Sequence, residues 1–256
     1  MNPRILILDL ETAPAKVYTW GLFDQNIGTN RIVDDGYVLC WCAKYLGDKN
    51  VLSDALINYP DYYKKNPRCD KKIAESLWKL MNEADIIVTH NGQSFDIPWA
   101  NTLFCKHGLK PVSPFKNVDT YLAVRKKFRF ISNKLDFICR KLDVGHKLST
   151  GGFELWEKCM RGEKKAWKHM VQYCKHDVKL LEKLYLIIRP YVHGHPNVNL
   201  YRGVVGEVCP NCGEKELERR GFEYTSQCKY QRYVCKACGR WSRGKKPEAK
   251  TTITGI

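Results

Sequence analysis

The chain has 256 residues, 44% of them hydrophobic, 27% charged and 12% aromatic, a balance that suits a soluble globular protein with one large and one small domain. No apolar run approaches the roughly 18 residues of a membrane span, and Asp9 and Glu11 interrupt Ile5–Leu8 too soon for a secretory leader, so no membrane partner and an intracellular, cytoplasmic location are expected. Forty-three Lys and Arg against 27 Asp and Glu give a formal charge of +16, which favours a polyanionic partner, nucleic acid above all, through release of its counterions.

Ile5–Leu8 runs into Asp9-Leu10-Glu11 and reads as a buried strand; Tyr37–Tyr45 and Val51–Ala55 read as further strands. From Asp70 to Ala84, apolar residues at Ile73, Ala74, Leu77, Leu80 and Met81 keep helical spacing, with Asp70 as the expected N-cap. A short buried strand over Asp85–His90 is followed by a loop and a helix from Asp96 that Gly108 can end. Val118-Asp119-Thr120 leads into a basic helical stretch, and Ser132 is the expected cap of a helix carrying Leu135, Ile138, Cys139 and Leu142. A long helix is predicted from Glu163 to Arg189, stopped by Pro190. Strands that come first and then alternate with helices predict an α/β class with a mixed sheet. Residues 190–206 hold Pro, Gly and Asn without periodicity and read as linker, so the expected domains are 1–195 and a linker with a small module over 196–256. The small part carries 12 basic against 6 acidic residues and the large part 31 against 21, so both can meet the same polyanion.

Seven of the 12 cysteines are scattered through residues 1–195, among them Cys40, Cys42, Cys139 and Cys174 in apolar settings where a thiol acts as a small hydrophobe. The other five cluster between 209 and 238. Cys209-Pro-Asn-Cys212-Gly and Cys235-Lys-Ala-Cys238-Gly repeat one CxxC device 22 residues apart. Two such turns supply four soft ligands in a tetrahedron, which predicts one structural Zn²⁺. Cys228 lacks a CxxC partner and reads as a buried or free thiol. Residues 205–243 resemble a zinc ribbon, a β-hairpin module common in nucleic-acid enzymes. Tyr230, Arg232, Tyr233, Arg240, Trp241 and Arg243 interleave aromatics and cations as a single-strand platform would, with Arg232, Tyr233, Arg240 and Trp241 the expected contacts.

Asp9 and Glu11 stand two apart on a strand and leave the same face. Taken singly, they read equally as ion-paired acids at a strand end, Asp96 as a helix cap, and Tyr173 with Asp177, at i and i+4, as a surface pair. Together, hard carboxylates from two strand ends and two helices are what a pair of Mg²⁺ or Mn²⁺ ions requires. In order and spacing, Asp9-Leu-Glu11-Thr, His90-Asn-Gly-Gln-Ser-Phe-Asp96 and Tyr173-Cys-Lys-His-Asp177 resemble the DEDD superfamily of 3′→5′ exonucleases, which have an RNase H-like fold. The Tyr-x-x-x-Asp spacing matches the tyrosine subclass; the histidine subclass would want His where the chain has Gln172.

The resemblance implies an RNase H-like mixed sheet flanked by helices, Asp9, Glu11, Asp96 and Asp177 as ligands of two divalent ions, and Tyr173 orienting the attacking water. It implies release of nucleoside 5′-monophosphates, with single-stranded DNA favoured and RNA the alternative. The implied setting is replication, repair or proofreading of phage or bacterial type, in the nucleoid or host cytoplasm and in company with a replication or repair complex. An adaptor that binds nucleic acid without cleaving it is the alternative from another class. Trp20, Phe23, Asn91 and Phe95 are candidates for holding the terminal nucleotide, although Trp20 equally suits the core. Arg125, Lys126 and Lys127 open a basic run that reads either as phosphate tracking or as a solvated face. Asp119 caps the helix from Tyr121 or serves as an auxiliary acid. His176 is expected to be structural, and Asp136 and Asp143 to be surface or capping residues.

Overall fold

The computed structural model describes residues 2–253. They form two compact units that divide inside one long helix, residues 4–184 in one and residues 2–3 with 185–253 in the other. Among the described residues no helix is long and apolar enough to cross a membrane.

The larger unit opens with β1 (Ile5–Ala13), a small ribbon of β2 (Lys16–Val17) and β3 (Ile32–Asp34), then β4 (Tyr37–Tyr45) and β5 (Leu52–Ala55). Helices α1 (Pro60–Lys65) and α2 (Lys71–Asn82) precede β6 (Ile86–Thr89), α3 (Asp96–Lys106) and β7 (Lys116–Asp119). Four more helices follow: α4 (Thr120–Lys127), α5 (Leu135–Lys141), α6 (Glu154–Met160) and α7 (Lys164–Ile188). The five-stranded sheet has the order β5-β4-β1-β6-β7. β1 pairs antiparallel with β4 and parallel with β6, which pairs parallel with β7. This is the mixed, helix-flanked sheet of an RNase H-like fold, as expected.

The three parallel strands deliver their carboxyl ends to one edge of the sheet, where ligands collect in open α/β sheets. Asp9 and Glu11, His90 and Asp119 therefore converge from strands separated by tens of residues. The register of β1 against β4 shifts between Glu11 and Thr12. Such a bulge bends the strand and re-aims the side chains beside it.

Helix α7 buries Trp167, Met170, Tyr173, Cys174, Asp177, Val178, Leu181 and Leu184, an apolar stripe with two polar members at helical spacing. It lies close to the sheet, with Cys174 Sγ 3.6 Å from the Asp9 carbonyl and Cys42 Sγ 3.7 Å from the Val171 carbonyl. Cys40 and Cys42 pair with Glu11 and Asp9 across β4, on the face that α7 covers. Small buried thiols at these positions let the helix backbone approach the strands, which brings Tyr173 and Asp177 to the acids of β1.

Several local expectations change. Asp70 precedes α2, but its side chain makes no cap; it accepts from His107 (2.7 Å) and Lys106 (3.2 Å) at the far end of α3. A tertiary ion pair has displaced the local hydrogen bond. Ser132 stands too far upstream to cap α5, which begins at Leu135 behind Lys134. Its hydroxyl accepts from Lys134 N at 3.3 Å instead. Gly108, in the left-handed region at φ 69°, ends α3 as expected. Helices α1 and α6 are too short to show periodicity in the sequence.

The smaller unit holds α8 (Val198–Arg202), β8 (Leu217–Tyr224), β9 (Cys228–Cys235), β10 (Trp241–Arg243) and β11 (Ala249–Lys250). β9 pairs antiparallel with β8, β10 and β11. Helix α8 falls in the segment read as linker. Asn199 Nδ2 donates to the carbonyls of Val208 and Cys209, both at 3.1 Å, and so fixes α8 to the first cysteine turn.

Candidate active site

Asp9, Glu11 and Asp177 each offer a carboxylate oxygen within 4.8 Å of the other two. The strand supplies two of these acids on one face, and α7 supplies the third from its buried stripe. Asp96, almost fully buried at the start of α3, lies beside them and accepts from Leu10 N at 2.9 Å. Burial raises all four carboxyls above their ordinary range; neighbouring acids add to this at Asp9, and at Glu11 where Lys147 opposes it, Asp119 adds to it at Asp96 against the Leu10 N–H, and Lys147 opposes it at Asp177. Glu11 is pushed up to about 8 and Asp96 to about 7, while Asp9 and Asp177 rise as well. Buried Asp177 Oδ1 has no hydrogen-bond donor among the described residues. Hard oxygen donors that repel one another around such an oxygen fit a divalent cation, which would relieve both the repulsion and the missing bond.

One cation of the protein already reaches this cluster. Lys147 Nζ lies 2.6 Å from Asp177 Oδ2 and donates to the Tyr173 hydroxyl at 2.9 Å. Burial opposes its charge, but Asp177 and Tyr173 outweigh that and raise its pKa. Nothing in the sequence singles out Lys147, one lysine in a polar loop. The loop is held from two helices. Asp136 on α5 accepts from Lys147 N at 2.6 Å, and His176 Nε2 on α7 donates to the His146 carbonyl at 2.7 Å. Asp136 is thus more than a surface residue, and His176 has the structural place expected of it. Burial, then the Asp177 charge, raises the Tyr173 hydroxyl well above the usual tyrosine range, so it stays protonated near neutral pH.

The second motif forms a tight loop after β6. Asn91 adopts a left-handed conformation at φ 67°. A Cβ on Gly92 would stand 2.3 Å from Thr89 Cβ, so the turn admits only glycine. Asp119 organises the loop: its carboxylate accepts from Asn91 N, Gln93 N and Tyr121 N at 2.9 to 3.0 Å, and from Leu122 N at 3.3 Å. It is the helix cap expected of it, and it also ties the second motif to β7. His90, neutral because burial lowers its pKa to about 4, donates from Nε2 to the Asn133 carbonyl at 2.9 Å. Nδ1 lies 2.9 Å from the Thr120 hydroxyl, whose single proton is shared with the Thr89 carbonyl, also at 2.9 Å.

The expected nucleic-acid contacts lie at different depths. Trp20 is 92% exposed on the β2–β3 connection, with Phe23 beside it, which removes the core reading of Trp20. Phe95 is partly exposed and meets Trp99 edge to face at 6.4 Å. Asn91 and the Arg125-Lys126-Lys127 run are exposed. In the smaller unit Trp241 is exposed and Arg232 half-buried. Tyr233 is buried with its hydroxyl donating to Glu207 at 2.6 Å, and Arg240 donates to the Pro190 and Val192 carbonyls at 2.6 and 2.9 Å.

The four cysteines of the CxxC turns also converge within 4.8 Å of one another. Cys209 and Cys238 sulfurs are 3.7 Å apart and those of Cys212 and Cys235 3.6 Å, close to the ~3.8 Å edge of a tetrahedron of thiolates around zinc. Buried Asn211 donates to Cys238 Sγ at 3.6 Å. Burial opposes it, but this bond and the Arg240 N–H lower the Cys238 thiol to about 7. The group could bind zinc. Cys228 lies apart from it as a free, half-buried thiol.

Comparison with known proteins agrees with this architecture. The DNA polymerase III PolC-type of Ureaplasma parvum serovar 3 is 28% identical over 155 residues, which cover 57% of this chain and 10% of that protein. The chain thus spans about a tenth of the length of this curated relative. The family B DNA polymerase from the hyperthermophilic archaeon Pyrobaculum calidifontis superposes with a TM-score of 0.54 at 18% identity, over 89% of this chain and 32% of that one. That likeness shows the fold. The family model of the RNase_H superfamily matches residues 44–188, from the end of β4 through the whole of α7. With more than half its length in that match, and with the acids of β1 brought to the same sheet edge, the chain belongs to the RNase_H superfamily.

Proposed function

We propose that the chain is a 3′→5′ exonuclease that hydrolyses single-stranded DNA to nucleoside 5′-monophosphates, working in replication, repair or proofreading. The observation that carries this reading is the meeting of Asp9, Glu11 and Asp177 within 4.8 Å, beside Asp96 and the Tyr173 hydroxyl. The direction of attack rests on the resemblance of the three motifs to the DEDD exonucleases. The PolC-type relative supports a replication setting.

Asp9, Glu11, Asp96 and Asp177 would hold two Mg²⁺ or Mn²⁺ ions, and the four cysteines one Zn²⁺. Two such ions, when bound, lower the pKa of an attacking water and offset the charge on the leaving oxygen. Protonated Tyr173 accepts from Lys147 and keeps its own proton at neutral pH, so it orients that water and does not remove its proton. Lys147 supplies a fixed positive charge beside Asp177, where negative charge builds up as phosphorus becomes five-coordinate. The loop that Asp119 ties down presents Asn91 and Phe95 at the same sheet edge, suited to holding the terminal nucleotide. Attack on the last phosphodiester breaks the bond to the 3′-oxygen, and the phosphate leaves on the released nucleoside. In Asp9→Ala and Asp177→Ala we expect hydrolysis to fall by more than ~10³-fold, the scale lost with a principal catalytic group, while strand binding persists. Cleavage by both variants at the wild-type rate would rule the reading out.

A further inference from the structure

We propose that the open face of the cysteine-bound sheet is a second nucleic-acid site, built on a row of three arginines, which holds single-stranded DNA or RNA independently of the acidic centre. The proposal rests on the nucleic-acid reading above, but its test does not require hydrolysis.

Directly opposed residues in an antiparallel ladder share a face. Arg243 on β10 is opposite Arg232 on β9, and Trp241 is opposite Val234. On the other edge of β9 the register with β8 shifts between Arg219, opposite Tyr233, and Phe222, opposite Gln231, which leaves Arg220 beside Arg232. Arg220, Arg232 and Arg243 thus form a row across three strands. Tyr230, two residues before Arg232, shares that face.

Like charges directly opposed in a sheet repel and destabilise it. Here the row is kept, and aromatic faces partly offset it. Arg220 and Arg232 lie 6.0 and 4.9 Å from the Trp241 ring centre, and Arg243 lies 4.2 Å from that of Tyr230. The acid that reaches the row is Glu223, 3.4 Å from Arg243. The guanidinium groups of Arg220 and Arg232 have no carboxylate partner of this kind among the described residues. Such cations beside an exposed indole match what a single strand offers, phosphates for the guanidinium groups and base faces for the ring. A flexible acidic peptide offers the charge without the base faces. The two expected contacts that do not share this surface, Tyr233 and Arg240, face other partners, whereas Arg220, Arg243 and Tyr230 join it.

The test reads binding in the Asp9→Ala chain, with a fluorescent oligothymidylate of about 20 nucleotides and salt from about 50 to 300 mM. In a triple Arg220→Ala, Arg232→Ala, Arg243→Ala variant that retains bound zinc, we expect the salt slope to become shallower by about 2, at about 0.7 for each phosphate no longer neutralised. The matching triple Arg→Lys variant should keep the slope. Trp241→Ala should weaken binding about 10-fold at unchanged slope, as loss of one stacked base predicts. Zinc measurement on each variant separates loss of the face from loss of the fold. Wild-type affinity and slope in the triple alanine variant would overturn the proposal, as would equal competition by poly-glutamate. Binding of this kind, with no cleavage by the wild-type chain in Mg²⁺ or Mn²⁺, would uphold the second site and remove the exonuclease reading. Cleavage by a chain whose arginine row makes no difference to binding would do the reverse.

Discussion

Lys147 Nζ stands 2.6 Å from Asp177 Oδ2, so a loop lysine neutralises the most deeply buried acid of the cluster. Without it, the cluster of Asp9, Glu11, Asp96 and Asp177 would lose the lysine charge that offsets its repulsion. Lys147→Met should destabilise the metal-free protein by about 1–2 kcal/mol, less than removal of one partner of a fully buried pair because the lysine is partly exposed. Added Mg²⁺ should close most of that gap, because the cation replaces the lost charge. Thermal unfolding with and without Mg²⁺ checks both halves, and an equal deficit in the two conditions would contradict them.

Asp136 holds Lys147 through the backbone N–H at 2.6 Å and accepts from Arg140 Nε at 2.8 Å. Although partial burial opposes it, these donors keep its carboxyl below the usual range. Asp136→Ala should lower turnover about 10-fold by loosening the loop, about 1.4 kcal/mol at the transition state. Asp136→Asn keeps an acceptor for Lys147 N and should recover most of the rate. Steady-state kinetics on the two variants distinguishes a positioning role from a purely local one.

His90 couples stability to acid. Burial lowers its folded pKa to about 4, against 6.5 for the free side chain. The unfolded chain therefore binds a proton that the folded chain refuses between those values. The neutral ring's contribution is complete above pH 6.5 and is lost as pH falls towards 4, by about 3 kcal/mol at 1.36 kcal/mol per unit. His90→Gln should lose less stability than wild type over that window. Urea unfolding at pH 7 and pH 4 provides the comparison, and identical pH dependence in both proteins would refute it.

Much of the architecture was legible because it is written in local patterns. The run Ile5–Leu8, the nine residues of β4 and the stripe of α7 each show their period or their length. The acids followed because the strand period sends Asp9 and Glu11 to one face, and Tyr173 with Asp177 share one helical face. Lys147 was not legible: its partners are 26 and 30 residues away on another element, and nothing in its own segment marks it. The same holds for Asp136, whose target is a backbone N–H that carries no residue type. Asp70 misled in the opposite sense, since a helix-cap signal was present but His107 and Lys106 had the stronger claim. Arg240 and Tyr233 looked like ligand contacts because the sequence cannot say which face of a short strand or turn a side chain takes.

Asn211 should tune the cysteine site. Its amide donates to Cys238 Sγ from a buried position, the kind of outer partner whose loss costs about 10- to 100-fold in metal affinity. The protein as purified should hold one zinc per chain by elemental analysis. Asn211→Ala should release it to a chelator at correspondingly lower concentration, whereas Cys228→Ser should behave as wild type. Equal release from Asn211→Ala and wild type would remove the role given to the amide.

The most direct test of the catalytic reading is product analysis on 5′-labelled single-stranded DNA and RNA of the same sequence, with and without Mg²⁺ or Mn²⁺. We expect a metal-dependent ladder that shortens from the 3′ end and yields nucleoside 5′-monophosphates, faster on DNA than on RNA. Faster trimming of RNA would move the substrate assignment. Strands that remain intact under every metal condition while the protein binds them would rule out the exonuclease and leave a binding protein in its place.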